Sequence, residues 1–232
     1  MSDSGGADHP RANRDRASGA GVFLRGVRAT VLIYAGVLFT ISASLVGLVL
    51  EPERQLGGLD PVEIEDPVTG ATTAYPPEPS YAAEVGRDVY RSMGCVYCHS
   101  QQVRPEGFGA DIERGWGPRR TVARDYLYDS PHLLGTMRTG PDLANIAARQ
   151  PSADWHHLHL YNPRIVSEGS IMPAFPFMYE RIELDEGEDA PEGAVALPDE
   201  DGAYIVPGRQ ARQLYTYLMT LDKTTPLEEA SR

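Results

Sequence analysis

From Ala29 to Leu50 the chain runs for 22 residues without a charged side chain. Coiled as a helix rising ~1.5 Å per residue, such a run spans about 33 Å, enough for the hydrocarbon core of a bilayer. A lone segment in lipid must satisfy its backbone internally, so a helix is the form open to it. A cleaved leader is the competing reading, because Ser42-Ala43-Ser44 has the small residues of a cleavage site. The apolar run is longer than the roughly 7 to 15 residues of a leader core and continues past that site, which favours a retained anchor. Arg25 and Arg28 precede the run and Glu51 and Glu53 follow it. The positive-inside rule then puts the N-terminus in the cytoplasm and everything after Leu50 outside, as a single-pass protein in contact with membrane lipid. Gly36, Thr40, Ala43 and Gly47 form a small-residue stripe at helical spacing, which reads equally as a face for a partner helix and as ordinary composition.

The charge balance is uneven along the chain. Residues 1–50 hold five Arg against three Asp, whereas the remainder holds 16 basic against 30 acidic residues. An acidic body of this kind repels nucleic acid, whose binding rests on neutralising phosphates, and attracts basic protein partners. Nine of the acidic residues fall between 183 and 201, with no basic residue among them. That stretch reads as a solvated surface insertion, more readily a flexible loop than a docking site.

Residues 1–21 are polar, without apolar periodicity, and are expected to be disordered. Residues 51–80 are rich in Pro, Glu and Gly and read as an extended linker, with regular structure resuming at Tyr81. Val85, Val89, Tyr90 and Met93 recur at helical spacing, Asp154–Leu160 is a second helical candidate, and Arg209–Leu221 is an amphipathic helix near the end. Nothing between them alternates as strands do. The expectation is therefore a mainly α protein with long loops.

Cys95-Val96-Tyr97-Cys98-His99 carries the chemistry. C-x-x-C-H is the pattern of covalent haem attachment: two thiols three positions apart reach the two vinyl groups, and the next imidazole lies under the iron. A thioredoxin-like pair would need a strand-to-helix setting, and a zinc site would need further thiol or imidazole ligands, whereas the chain has no third cysteine. A sixth iron ligand is sought downstream. Met172, in Gly169-Ser170-Ile171-Met172-Pro173, is the first candidate, since the following proline stiffens its loop and a Met thioether opposite His raises an iron's reduction potential. Met137 and Met178 are fallbacks; His132, His156, His157 and His159 stay open as ligands, although each reads more simply as an ordinary surface or core histidine.

The stretch from Tyr81 to Tyr217 resembles a class I cytochrome c. Gly86 and Tyr90 before the motif, and Leu214 and Tyr217 near the end, resemble that fold's first- and last-helix contact positions. Gly140-Pro141-Asp142-Leu143 is similar to its G-P-x-L segment, which implies that the Pro141 carbonyl accepts a hydrogen bond from His99 and fixes its tautomer. Trp155, Leu160-Tyr161-Asn162-Pro163 and Met172 resemble a further stretch, differently spaced from some members, and the resemblance places Trp155 beside a haem propionate.

A narrower resemblance is to the mono-haem subunit, or subunit II, of cbb3-type cytochrome c oxidases. It rests on the single anchor, Gly86-Arg87-Asp88-Val89-Tyr90, Gly94 to Pro105, Arg138 to Leu143 and Asp154 to Phe177. It implies one covalent haem c and single-electron transfer to a catalytic haem-copper subunit, with electrons from a di-haem subunit or a soluble cytochrome c. It also implies an inner-membrane site with the haem domain in the periplasm. The subunit would itself be non-catalytic within an oxygen-reducing, proton-translocating complex. The cytochrome subunit of a nitric oxide reductase has the same plan, and a haem-based gas sensor is a more distant alternative. Glu106, at a position expected to be apolar, and the acidic stretch depart from the shared pattern. The organisation expected is residues 1–28 as a cytoplasmic tail, 29–50 as the anchor, 51–80 as the linker, 81–222 as the haem domain with its insertion at 183–201, and 223–232 as a tail.

Overall fold

A computed structural model describes residues 11–65, 69–185, 187–198 and 200–231. The chain divides into two compact units at Leu59. In the first, α1 (Arg11–Leu45) runs into a π-helical turn (Val46–Leu50) and a short α2 (Glu51–Leu56). One segment, Gly21–Leu56, contains a stretch long and apolar enough to cross a membrane, and none of that stretch is buried within the chain. Leu32, Phe39 and Leu48 are each more than 70 % exposed. A helix apolar on all sides finds its partner in lipid or in another helix.

Two expectations are corrected here. Helix α1 starts at Arg11, inside the stretch expected to be disordered, while residues 1–10 lie outside the described residues. Ala and Arg are strong helix formers, and an existing helix extends more easily than a new one starts. The stretch 51–80 is not uniformly extended either. It holds α2 and an antiparallel hairpin, β1 (Val62–Glu65) and β2 (Thr72–Tyr75), with Val62 opposite Tyr75. Tyr75 is buried, and its hydroxyl donates to Asp125 (2.5 Å), whose two oxygens also take both arms of Arg119 (2.8 and 2.9 Å). Burial opposes the Asp125 charge, but Arg119 and Tyr75 outweigh it and hold the carboxyl below its ordinary value.

The second unit is built on α3 (Tyr81–Ser92) and α6 (Arg209–Leu218). The Ser80 hydroxyl caps α3 by accepting from the Ala83 N–H. Ala83, Gly86, Val89 and Tyr90 form its buried face, and Ala211, Leu214, Tyr217 and Leu218 form that of α6. The contact is close at Gly86, where a Cβ would lie 1.9 Å from the Gln213 carbonyl oxygen. Beside it the Tyr90 and Tyr217 rings meet with centroids 5.4 Å apart. Leu143, Ile146, Leu160 and Met178 complete the core.

A three-stranded antiparallel sheet, ordered β3 (Tyr179–Glu183), β5 (Ala203–Pro207), β4 (Val195–Ala196), was not anticipated. It turns most of the 183–201 stretch into a folded excursion. Val195, Leu197, Ala203 and Ile205 are buried as a second small core, with Leu158, Tyr161 and Ile165 packed against it. Arg181 on β3 pairs with Glu183 and Glu200, so part of the acidic charge is compensated. Glu186 and Asp199 lie outside the described residues. Glu106 is exposed, where a carboxylate stays solvated.

Helix α5 (Ala153–Tyr161), which follows the single turn α4 (Ile146–Arg149), matches the second helical candidate and is capped by Ser152 accepting from the Trp155 N–H. Its His157 is buried, 3.1 Å from the Tyr179 hydroxyl and ring to ring with Tyr215. Burial, then the neighbouring His156, pushes the imidazole down to about 4 from 6.5. The native state thus resists a proton that the unfolded chain accepts. Stability from this site is complete above pH 6.5 and is lost as pH falls towards 4, by at most about 3 kcal/mol. Thermal melts between pH 7 and 4.5 are expected to show a falling midpoint, with a shallower slope in His157→Gln. Equal slopes would show that His157 does not drive the change.

Candidate functional site

Helix α3 ends where Gly94 adopts a left-handed conformation (φ 76°), followed by a tight turn, Cys95–Tyr97. The N–H groups of Cys98 and His99 both donate to the Cys95 carbonyl (3.1 and 3.0 Å). This turn brings both sulfurs and the imidazole to one cavity. The thiols are free, Cys95 half-buried and Cys98 exposed, and burial pushes the Cys95 thiol up to about 11.

His99 Nδ1 lies 2.7 Å from the Pro141 carbonyl oxygen. A carbonyl can only accept, so Nδ1 carries the proton and Nε2 keeps its lone pair. Burial lowers the ring's proton affinity despite that carbonyl, which favours the neutral form that binds metals. Gly140 makes the approach possible, since a Cβ there would meet His99 Cε1 at 2.3 Å.

The cavity has a volume of about 680 Å³. That is within the roughly 300–1,000 Å³ usual for cofactor sites. Cys95, Cys98, His99, Pro141, Trp155 and Met172 all line it. The two fallback methionines are elsewhere: Met137 is 57 % exposed and Met178 is 3 % exposed in the core. The Met172 loop is fastened by Arg164, whose Nη1 donates to the carbonyls of Ser170 (3.0 Å) and Met172 (3.1 Å). His156 and His159 lie on the wall, whereas His132 and His157 do not.

Arg149 went unread in the sequence as part of a site, and His159 was read there only as a possible iron ligand. Arg149 Nε and His159 Nδ1 are buried without a hydrogen-bond partner. The Arg149 Nη2 donates to the Asp142 carbonyl, and the His159 ring stacks on Trp155 at 4.6 Å. Burial first, then the neighbouring histidines, push His159 down to about 4. Unsatisfied buried polar atoms on one cavity wall call for a ligand with matching acceptors. The two carboxylates of a haem, beside an apolar lining that includes Leu143, Ile146, Leu160 and Leu214, fit that demand.

Two helices packed over a cavity that opens on C-x-x-C-H, with the motif's own histidine and one methionine, Met172, on its wall, define a c-type cytochrome domain. Residues 72–194 match the family model described as cytochrome C oxidase, mono-heme subunit/FixO. The chain belongs to this family of mono-haem cytochrome c oxidase subunits, with a mainly helical fold consisting of an N-terminal apolar helix and a cytochrome domain. No curated protein matches the chain. Helix α6, which completes the core, lies beyond the matched residues.

Proposed function

We propose that this chain is the membrane-anchored electron-transfer subunit of a cbb3-type oxidase. In this reading Cys95 and Cys98 would hold one haem c through thioethers, and His99 and Met172 would ligate its iron. The observation that carries it is the convergence of all four residues on one cavity of haem size. When bound, the haem supplies a one-electron ferric/ferrous couple.

The protein's part is to hold and to tune. Pro141 fixes the tautomer of His99, Trp155 and Arg149 would meet a haem's propionates, and Arg164 keeps the Met172 loop in place. A filled coordination sphere limits rearrangement between redox states, which suits a carrier. Glu51 and Glu53 after the apolar helix, against Arg25 and Arg28 before it, support a periplasmic haem domain. The electron then passes from a di-haem or soluble cytochrome c donor to the haem-copper subunit.

The test is purification from detergent-solubilised membranes with the assembled complex. Expected are one haem that stays with this polypeptide on a denaturing gel, a chain that begins before Ser42, and oxygen consumption with a reduced cytochrome donor. Cys98→Ala is expected to remove nearly all haem stain. A normal stain in that variant, or a complex that consumes nitric oxide but not oxygen, would overturn the reading.

A further inference from the structure

Behind His99 lies a run of buried charge that haem attachment does not require. The Asp142 side chain has no exposed surface. Its Oδ2 accepts from the Ser100 hydroxyl (2.6 Å) and the Gln102 N–H (2.7 Å), and its Oδ1 from the Ala144 N–H (2.8 Å). Three donors and no acceptor face these oxygens, the setting of a carboxylate anion. On either side of Asp142, the Gly140 N–H donates to the Cys98 carbonyl (2.9 Å) and the Leu143 N–H to the Ser100 carbonyl (2.8 Å). The segment that offers the Pro141 carbonyl is therefore tied at several points to the segment that carries His99.

Arg138 holds this junction from behind. Its Nε donates to the same Ser100 hydroxyl (2.8 Å), its Nη1 to Asp111 (2.8 Å) and its Nη2 to the Gln102 carbonyl (2.6 Å). Nη2 also lies 4.0 Å from Asp142. The guanidinium stands over the Trp116 ring, 5.2 Å from its centroid. Asp111, with no exposed side-chain surface, is gripped on its other side by Arg104. Cation and anion alternate: Arg104, Asp111, Arg138, Asp142. Two of the four are fully buried and Arg138 is only 19 % exposed, so solvent screens their fields weakly.

We propose that Arg138 is a positioning residue for His99 and that it also sets the reduction potential of the iron: through Ser100 and Asp142 it holds the Pro141 carbonyl on the Nδ1–H, and its charge offsets two buried carboxylates. The inference rests on the reading that His99 binds haem iron. Oxidation adds a positive charge at the iron. Removing the Arg138 charge leaves excess negative charge behind His99 and favours the ferric state, whereas removing the Asp142 charge does the reverse.

The experiment is redox titration of the haem in the assembled complex, followed by its visible absorption. At fixed applied potential Arg138→Gln is expected to raise the ferric-to-ferrous ratio about tenfold, a fall in midpoint of about 59 mV for one electron. Asp142→Asn is expected to shift it by a similar factor in the opposite direction. Arg138→Lys, which keeps the charge and loses the fork, should return most of the midpoint. Arg114 is exposed and stands over the same Trp116 ring at 5.1 Å. Because its charge is screened by solvent, Arg114→Gln should leave the ratio within about twofold. Should Asp142→Asn fail to mature, Asp111→Asn carries the same sign. Loosening of the loop alone would move both variants the same way, so like signs, no shift, or an equal shift in Arg114→Gln overturns the inference. Wild-type protein without covalent haem would instead sink the reading of the site.

Discussion

Gly86→Ala is expected to lower the melting temperature by about 10 °C or to prevent folding, a loss of about 3 kcal/mol at roughly 2–4 °C per kcal/mol. In an isolated helix the same change stabilises by about 1 kcal/mol. Here the added Cβ meets backbone, 1.9 Å from the Gln213 oxygen and 2.6 Å from its carbonyl carbon, with the Tyr217 Cβ at 2.9 Å. No side-chain rotation relieves contact with a carbonyl inside a helix, so α3 and α6 must move apart and open the core around Tyr90 and Leu214. Circular dichroism melts of wild type and variant decide the matter; a midpoint within about 2 °C of wild type would show that the helices yield at little cost.

The second large effect is at Met172. Met172→Ala is expected to turn a closed site into one that binds carbon monoxide in the ferrous state, with loss of the weak near-infrared sulfur-to-iron band in the ferric state. The loop should survive the change, because Arg164 holds it by the carbonyls of Ser170 and Met172 and not by the thioether. Met172→His should keep a closed site at lower potential, since the imidazole favours the ferric state relative to a thioether. Met137→Leu should do neither, and Met178→Leu should cost less than about 1.5 kcal/mol as a volume-conserving core change. If wild-type ferrous protein takes up carbon monoxide readily, Met172 is not a ligand and the gas-sensor reading displaces the carrier.

How far the sequence could be read depended on the range of the signal. Val85, Val89, Tyr90 and Met93 recur at helical spacing inside a single window, so α3 was visible, as was α6 through the amphipathic stretch Arg209–Leu221. The six residues expected around the haem line one cavity, because C-x-x-C-H is a local motif and the rest sit in recognisable neighbourhoods. The sheet was not visible. Strand β4 is two residues long, and β5 shows its alternation of Ala203, Ile205 and Pro207 over only five. The buried charge run was hidden for a different reason: Asp111 and Arg138 become partners only once the chain has folded back, and in sequence each looks like one more surface ion. Arg149 was silent, and His159 was read only as a possible iron ligand, because what marks both on the cavity wall is a missing hydrogen bond, which only coordinates can show.

The packing of α3 on α6 has a further consequence, for the order in which the protein is made. The two helices stand at opposite ends of the second unit, so their contact is among the last that a growing chain can form. Until Arg209–Leu218 has left the ribosome, the cavity lacks Leu214 and Leu218, and Gly86 has nothing to lie against. Non-local contacts of this kind fold slowly, because the loop entropy is lost before the contact forms. The Cys95–His99 segment, long since synthesised, therefore spends an interval on an unclosed chain. Leu214 and Leu218 reach the cavity only at the end of that interval, so the wall opposite the motif is the last part of the site to be completed.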